Sequence, residues 1–366
     1  MKCVINQNDL SKAIGIVQKV VSVRTTMPIL TGMLIEAENN TLSLTATDLD
    51  MGIKTTIDCE VEEEGSIVVN AKLISDFIRK LPSKSSVEIT TDSFNKMRIK
   101  CVKSDFSILC NSADEYPDNT FYNEGESITI DSGALKKLIK NTTFAAAQDN
   151  IKPIFTGCLM EVTNNECTFV AIDGYRLAVK KENINYQGNL NVIVPSKSLH
   201  EVYRIIEDED QLIEMVISNS HISFAFNHTI VISNLLEGEF IKYKEIIKEG
   251  YKTKIDILTS MFKDSVERVS LLAREDKNNL VIFTVSENNL KIESTSEYGN
   301  AEENIEVEME GEDIKIGFNS KYIMDLLRIA EDDKLTLVFQ GSLNPCIITV
   351  TGNDDFIYLV LPVRIS

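Results

Sequence analysis

Two kinds of hydrophobic spacing alternate along this chain. Stretches such as AKLISDFIRKL (71–81) place apolar residues at i, i+3 and i+4, the one-sided stripe of an amphipathic helix. Others, among them TLSLTATD, SIVVNA, SVEITTD, NVIVPS, HISFAF and LTLVFQG, alternate or run together in β-branched residues between Asn, Gly and Asp turns, as strands do. The pattern predicts six helices, over 8–24, 71–81, 132–146, 196–206, 258–274 and 319–330, embedded in strand-rich sequence. Asn8, Ser132, Ser196 and Asn319 stand at their starts as candidate caps.

The order of elements repeats, and particular residues repeat with it. Pro28, Thr31, Gly32 and Asp48 return as Pro153, Thr156, Gly157 and Asp173, each 125 residues on. Lys72 and Arg79 return as Lys197 and Arg204 at the same step, then as Lys321 and Arg328 after 124. Asn39-Asn40, Asn164-Asn165 and Asn288-Asn289 mark one hairpin turn in all three copies. A period this long exceeds that of solenoid repeats and matches a domain. The expected architecture is therefore α+β, with three similar domains at 1–120, 127–245 and 252–366, each carrying two helices on antiparallel β-sheets.

Composition narrows the function. With 366 residues, 43% of them hydrophobic, each domain can bury a core. The N-terminus lacks an apolar run of signal-peptide length and no stretch approaches eighteen apolar residues, so a cytoplasmic chain with no membrane partner is expected. Seven cysteines, scattered and never spaced CxxC, are expected to be reduced core or strand residues. A net charge of −19 argues against a generic nucleic-acid binder. Yet the six helical stretches hold 16 Lys/Arg against 6 acids, which leaves −29 for the rest of the chain. Charge is being sorted by surface. Lysine and arginine do decorate any solvated helix, but the Lys/Arg pair seven residues apart returns to one helix face and stays in register in all three domains.

Catalytic chemistry is hard to find. The only histidines are His200, His221 and His228, and HExxH, GxxxxGK[ST], GxSxG and a strand-borne GxGxxG are all missing. Acid pairs such as Asp48/Asp50 and Asp114/Glu115 read as turn residues. No metal or cofactor is expected. A repeat-built hydrolase with carboxylates at domain boundaries and a β-rich structural module remain open at this point.

ATDLD (46–50), AIDGYRLAV (171–179) and a C-terminal LPVRIS (361–366) preceded by FIYLV, together with the threefold repeat, resemble the bacterial DNA polymerase III β-subunit family, the sliding clamps, over the whole chain. The resemblance implies the DNA-clamp fold, with two chains closing into a six-domain homodimeric ring around duplex DNA, helices inward. It implies a noncatalytic processivity factor, nucleoid-associated through DNA and loaded by a separate ATP-dependent clamp loader. DNA contacts are implied at Arg24, Lys72, Gln148, Arg176 and Lys197; helix-face reasoning adds Lys12, Arg79, Lys136, Arg204 and Lys321. A peptide-binding pocket is implied at Phe155, Ile172, Gly174, Arg176, Leu177, Ile246, Leu359, Leu361, Pro362, Val363 and Arg364. Its implied partners are the catalytic subunit of the replicative polymerase, the loader, other polymerases, and mismatch-repair and ligation proteins. Ile241 and Leu361 stand where relatives usually carry Pro and Met. The dimer interface is expected to join Ile78, Phe106 and Ile108 to Leu271, Leu272, Glu302 and Glu303.

Overall fold

The structure is a computed structural model that describes residues 1–22, 25–117, 124–149, 151–207, 210–275 and 279–365. Six α-helices lie among the described residues: α1 (Gln7–Val17), α2 (Ala71–Lys80), α3 (Ser132–Lys140), α4 (Ser196–Ile205), α5 (Thr259–Ala273) and α6 (Ser320–Leu327). Two end earlier than the hydrophobic pattern suggests. α1 tightens into a 3-10 turn at Gln18–Val20, where β-branched Val20 and Val21 follow. α3 stops because the hydroxyls of Thr142 and Thr143 donate back to the carbonyls of Leu138 (2.7 Å) and Ile139 (2.8 Å), satisfying the last turn from the side chain. Two caps also differ from expectation. Asn6, not Asn8, caps α1 by accepting the Asn8 N–H at 2.9 Å, and the Ser196 hydroxyl has no hydrogen-bond partner among the described residues. Asn70 and Asn319 cap α2 and α6.

The repeated Asn pair has a structural reason. Asn39-Asn40 and Asn164-Asn165 take left-handed φ values of 51°, 58°, 51° and 65°, the two-residue hairpin turn that suits the twist of its strands. The second Asn then reaches backbone 21 residues on: Asn40 Oδ1 accepts from Val61 N–H in a strand, and Asn165 Oδ1 from Tyr186 N–H in a loop. In the third copy the turn is Glu287-Asn288, with φ of 51° and 59°, and Asn288 Oδ1 accepts from Met309 N–H. The expected turn at Asn288-Asn289 is therefore one residue too late; Asn289 already opens the next strand.

Every strand pairing among the described residues is antiparallel. Close packing gathers the chain into two units, 1–133 with 197–235, and 134–196 with 236–366. Sheet continuity explains why neither unit is one repeat. In the first, strand Thr229–Asn234 pairs with Met51–Asp58 and fuses strands of two repeats into one eight-stranded sheet, beside a five-stranded one. In the second, Arg176–Asn183 pairs with Asn353–Val360 inside a nine-stranded sheet, beside a four-stranded one. Helices cover the sheets with their apolar stripes. Phe262 of α5 meets Phe283 edge-on at 5.7 Å, and Phe283 meets Phe318 at 5.2 Å. All seven cysteines are free, and five of them, including Cys158, are buried. Burial pushes the Cys158 thiol up to about 12.

Candidate functional site

Asp173, Gly174 and Tyr175 turn the chain between strands Glu166–Ile172 and Arg176–Asn183. Asp173 Oδ1 accepts the N–H groups of Tyr175 (2.8 Å) and Arg176 (3.0 Å), and Gly174 takes a φ of 95° that favours glycine. The turn delivers Arg176 to the interior, where it is only 6% exposed. Its guanidinium donates to Asp173 Oδ2 (3.0 Å), Asp325 Oδ2 (2.6 Å) and the Phe144 carbonyl (2.8 Å), and lies 4.7 Å over the Tyr322 ring. Burial disfavours the charge, but Tyr358, Asp325 and Asp173 outweigh it and the pKa is raised. At 6% exposure, with three donors held by internal partners, Arg176 is not presented to DNA as the sequence suggested. It ties the turn, the Phe144 loop and α6 together beneath the expected pocket.

Above this network lies an apolar cluster. Ile172, Leu177 and Leu359 are buried there with Leu159, Val170, Val179, Ile193, Phe240 and Tyr243, and Ile154, Phe155 and Ile241 pack on it partly exposed. Phe155 meets Phe240 edge-on at 6.4 Å. Ile172, Leu177 and Leu359 are thus floor, and the accessible members of the expected pocket are Gly174, Phe155, Ile246, Leu361, Pro362, Val363 and Arg364. Two backbone bonds seat the C-terminal segment, from Leu361 N–H to the Tyr175 carbonyl (2.9 Å) and from Val363 N–H to the Gly317 carbonyl (2.8 Å). Gly317 is needed there, since a Cβ would lie 2.8 Å from the Val363 carbonyl oxygen. Tyr243 anchors the segment before α5 through a 2.6 Å bond to Glu161, and burial followed by that carboxylate pushes its phenol up. Asp173 was legible only as a repeated turn residue, and Asp325, Tyr322, Phe240 and Tyr243 were not picked out as site residues.

The expected DNA-contacting residues fall into three groups. Lys72, Lys197, Arg79, Arg204, Lys12 and Lys321 are exposed on helices, Lys136 is half-buried on α3, and Gln148 is exposed in the loop that Ala147 holds through the Phe155 carbonyl. Arg176 is buried, and Arg24 lies outside the described residues. Several of the exposed cations already hold carboxylates: Lys12 with Glu207 (2.8 Å), Lys197 with Asp48 (2.7 Å), Arg79 with Asp76 (2.7 Å) and Arg204 with Glu201 (3.0 Å). Lys72 and Lys321 make no ion pair among the described residues.

Comparison with known proteins is consistent along the full length. Models of the DNA polymerase III beta subunit match its N-terminal domain at residues 1–120, central domain at 129–242 and C-terminal domain at 244–364. The beta sliding clamp of Bacillus subtilis is 34% identical over the whole of both chains. The chain belongs to the bacterial β sliding clamp family. The solved B. subtilis DNA polymerase sliding clamp superposes with a TM-score of 0.97 at 33% identity over all of both chains. A sliding clamp from Pseudomonas aeruginosa, solved bound to griselimycin, gives 0.95 at 27% identity, again over all of both chains. Members of this family are noncatalytic processivity factors, and this chain is no enzyme.

As a sliding clamp, the chain has two sheet edges of interest. Strand Ser104–Leu109 is the outermost of the five-stranded sheet and Gly299–Glu306 of the four-stranded one. Burial decides which expected interface residues are available. Ile78 is fully buried and Ile108 is 4% exposed, so both belong to their own core, and the expectation for them is corrected. Phe106 is half-buried against Phe77, with ring centroids 4.7 Å apart. Leu73 and Leu109, 42% and 81% exposed, are the apolar side chains this region offers, and the sequence reading missed both. On the other edge Leu271 is 60% exposed, Leu272 is half-buried, Glu302 is exposed and Glu303 holds Arg268 at 2.7 Å.

Proposed function

We propose that two copies of this chain close head to tail into a ring around duplex DNA and tether the replicative polymerase, with strand Ser104–Leu109 of one copy pairing with Gly299–Glu306 of the other. The pairing removes two open strand edges and covers Leu73 and Phe106 with Leu271 and Leu272. The domains are assigned to 1–120, 127–245 and 252–366, and the protein works in the cytoplasm, at the nucleoid. One observation carries the DNA-facing role: the Lys/Arg pair of α2, α4 and α6 recurs in register in a chain of net charge −19. Lys12, Lys72, Gln148, Lys136, Lys197, Arg79, Arg204, Lys321 and Arg24 are the proposed phosphate contacts, and Arg176 a buried tie. Such contacts carry no base information, so the ring moves along any sequence. Processivity then follows from effective concentration, because a polymerase that releases the primer end stays beside it.

The apolar cluster on which Phe155 packs, with Ile246, Leu361, Pro362, Val363 and Arg364, is the proposed seat for short peptides of the polymerase catalytic subunit, other polymerases, the clamp loader, and mismatch-repair and ligation proteins. Ring opening needs ATP hydrolysis by that separate loader. Negative-stain electron microscopy at micromolar concentration tests the ring: closed particles with a central hole are expected, and compact particles without one would contradict closure.

A further inference from the structure

The second helix of each repeat carries more than a cation pair. A carboxylate stands between the two cations at the same place every time, in Lys72-Asp76-Arg79, Lys197-Glu201-Arg204 and Lys321-Asp325-Arg328, with steps of 125 and 124 between the acids. In all three helices the acid sits one turn before the arginine and holds it: Arg79 to Asp76 at 2.7 Å, Arg204 to Glu201 at 3.0 Å and Arg328 to Asp325 at 3.1 Å. The lysine one turn earlier is not held in this way, since Lys72 and Lys321 make no ion pair among the described residues and Lys197 turns to Asp48. These are not simple solubilising charges: the Glu201 and Asp325 side chains are only 13% and 15% exposed, against 54% for Asp76, and the register holds while Asp and Glu interchange.

We propose that these carboxylates are internal counterions that keep the arginines exchangeable, so that the ring does not grip the backbone it slides on. The inference rests on the clamp reading given above. An arginine forks onto phosphate more firmly than a lysine does, because two of its N–H groups fit two oxygens at once. Each such contact also releases condensed counterions, and steepens the fall of log K with log salt by about 0.9. Several arginines engaged at once would have to break together at each step along the duplex. A carboxylate one helical turn away changes the balance. The arginine trades one anionic partner for another, ion pairs are neither gained nor lost overall, and the step becomes an exchange. The lysines supply the standing attraction, and the acids set how loosely the arginines join it.

The test neutralises Asp76 and Glu201 together (Asp76→Asn with Glu201→Gln); Asp325 is left alone because it also holds Arg176. A second variant, Glu63→Gln with Glu237→Gln, removes the same charge from exposed acids outside the helices. Fluorescently labelled protein is loaded onto DNA tethered at both ends, and one-dimensional diffusion is followed across a salt series. The helix variant should diffuse about threefold more slowly than the parent at low salt and converge with it at high salt; the second variant should track the parent throughout. Arg79→Gln with Arg204→Gln should diffuse at least as fast as the parent. Unchanged diffusion of the helix variant, or equal slowing by the second variant, would overturn the proposal. A parent protein that escapes from DNA blocked at both ends would instead refute the clamp reading, and this inference with it.

Discussion

The same turn is built twice, at 47–52 and at 172–177, and only in the second do its flanking residues join the apolar cluster around Phe240. Asp48 Oδ1 accepts the N–H groups of Asp50 (3.2 Å) and Met51 (2.9 Å), just as Asp173 Oδ1 accepts those of Tyr175 and Arg176. Each turn then leads into a strand paired with a strand of the following repeat. The side chains differ. Thr45, Thr47, Met51 and Gly52 stand where the second copy has Val170, Ile172, Arg176 and Leu177. In the first copy the Thr47 hydroxyl satisfies local backbone, and the Tyr116 hydroxyl accepts the Thr47 N–H at 3.2 Å. In the second, the turn's neighbours join Phe240 and Tyr243 in an apolar cluster. The backbone turn is shared scaffolding; the apolar surface of the second copy comes from the side chains it carries.

The ion pairs at the two turns differ just as much. Lys197, 72% exposed, holds Asp48 from solvent, whereas Arg176 sits between Asp173 and Asp325 at 6% exposure. Removing one partner of a buried pair strands the other charges, so Arg176→Ala should cost about 3–5 kcal/mol. Lys197→Ala should cost about 0–1 kcal/mol, as exposed pairs do. Chemical denaturation of both variants checks the contrast, and equal losses would dissolve it. Next in size, Ile172→Thr copies the first turn into the second. It should cost about 1–2 kcal/mol in lost apolar burial, because the new hydroxyl meets the same local backbone as that of Thr47. It should also weaken capture of a polymerase-derived peptide about tenfold, or 1.4 kcal/mol, by isothermal titration.

Two smaller effects probe the first turn. Leu49 holds a left-handed φ of 78° where its counterpart is Gly174. Leu49→Gly should therefore stabilise the fold by about 0.5–1 kcal/mol, read as a higher denaturation midpoint. Burial, set against the Thr47 N–H, pushes the Tyr116 phenol up to about 12 from its ordinary 10.0. The folded value is the higher one, so this contribution is complete below pH 10 and is lost as pH rises through about 12. In Tyr116→Phe the alkaline fall in stability over that window should shrink, as measured by denaturation at pH 9 and pH 11.5.

Much of this was legible in the sequence because repetition supplied an internal alignment. The turn aspartates, the six helices and the Lys/Arg pairs all follow from spacing near 125. The acids at 76, 201 and 325 carried the same signal and were readable in the same way. Arg176 was not, because its partner Asp325 lies 149 residues away and only the fold brings them together. Ile78 and Ile108 misled because an apolar residue next to an edge can face either way, and both face inward. The two compact units were hidden for a related reason, since sheets that cross repeat boundaries leave no mark on either repeat alone.

Topological retention on DNA tests the central claim most directly. The protein, loaded onto a nicked circular plasmid and separated by gel filtration at moderate salt, should stay with the DNA until a single restriction cut opens the circle, and then leave it. Release from the intact circle at the same rate, or retention after linearisation, would contradict a ring that holds DNA by encircling it.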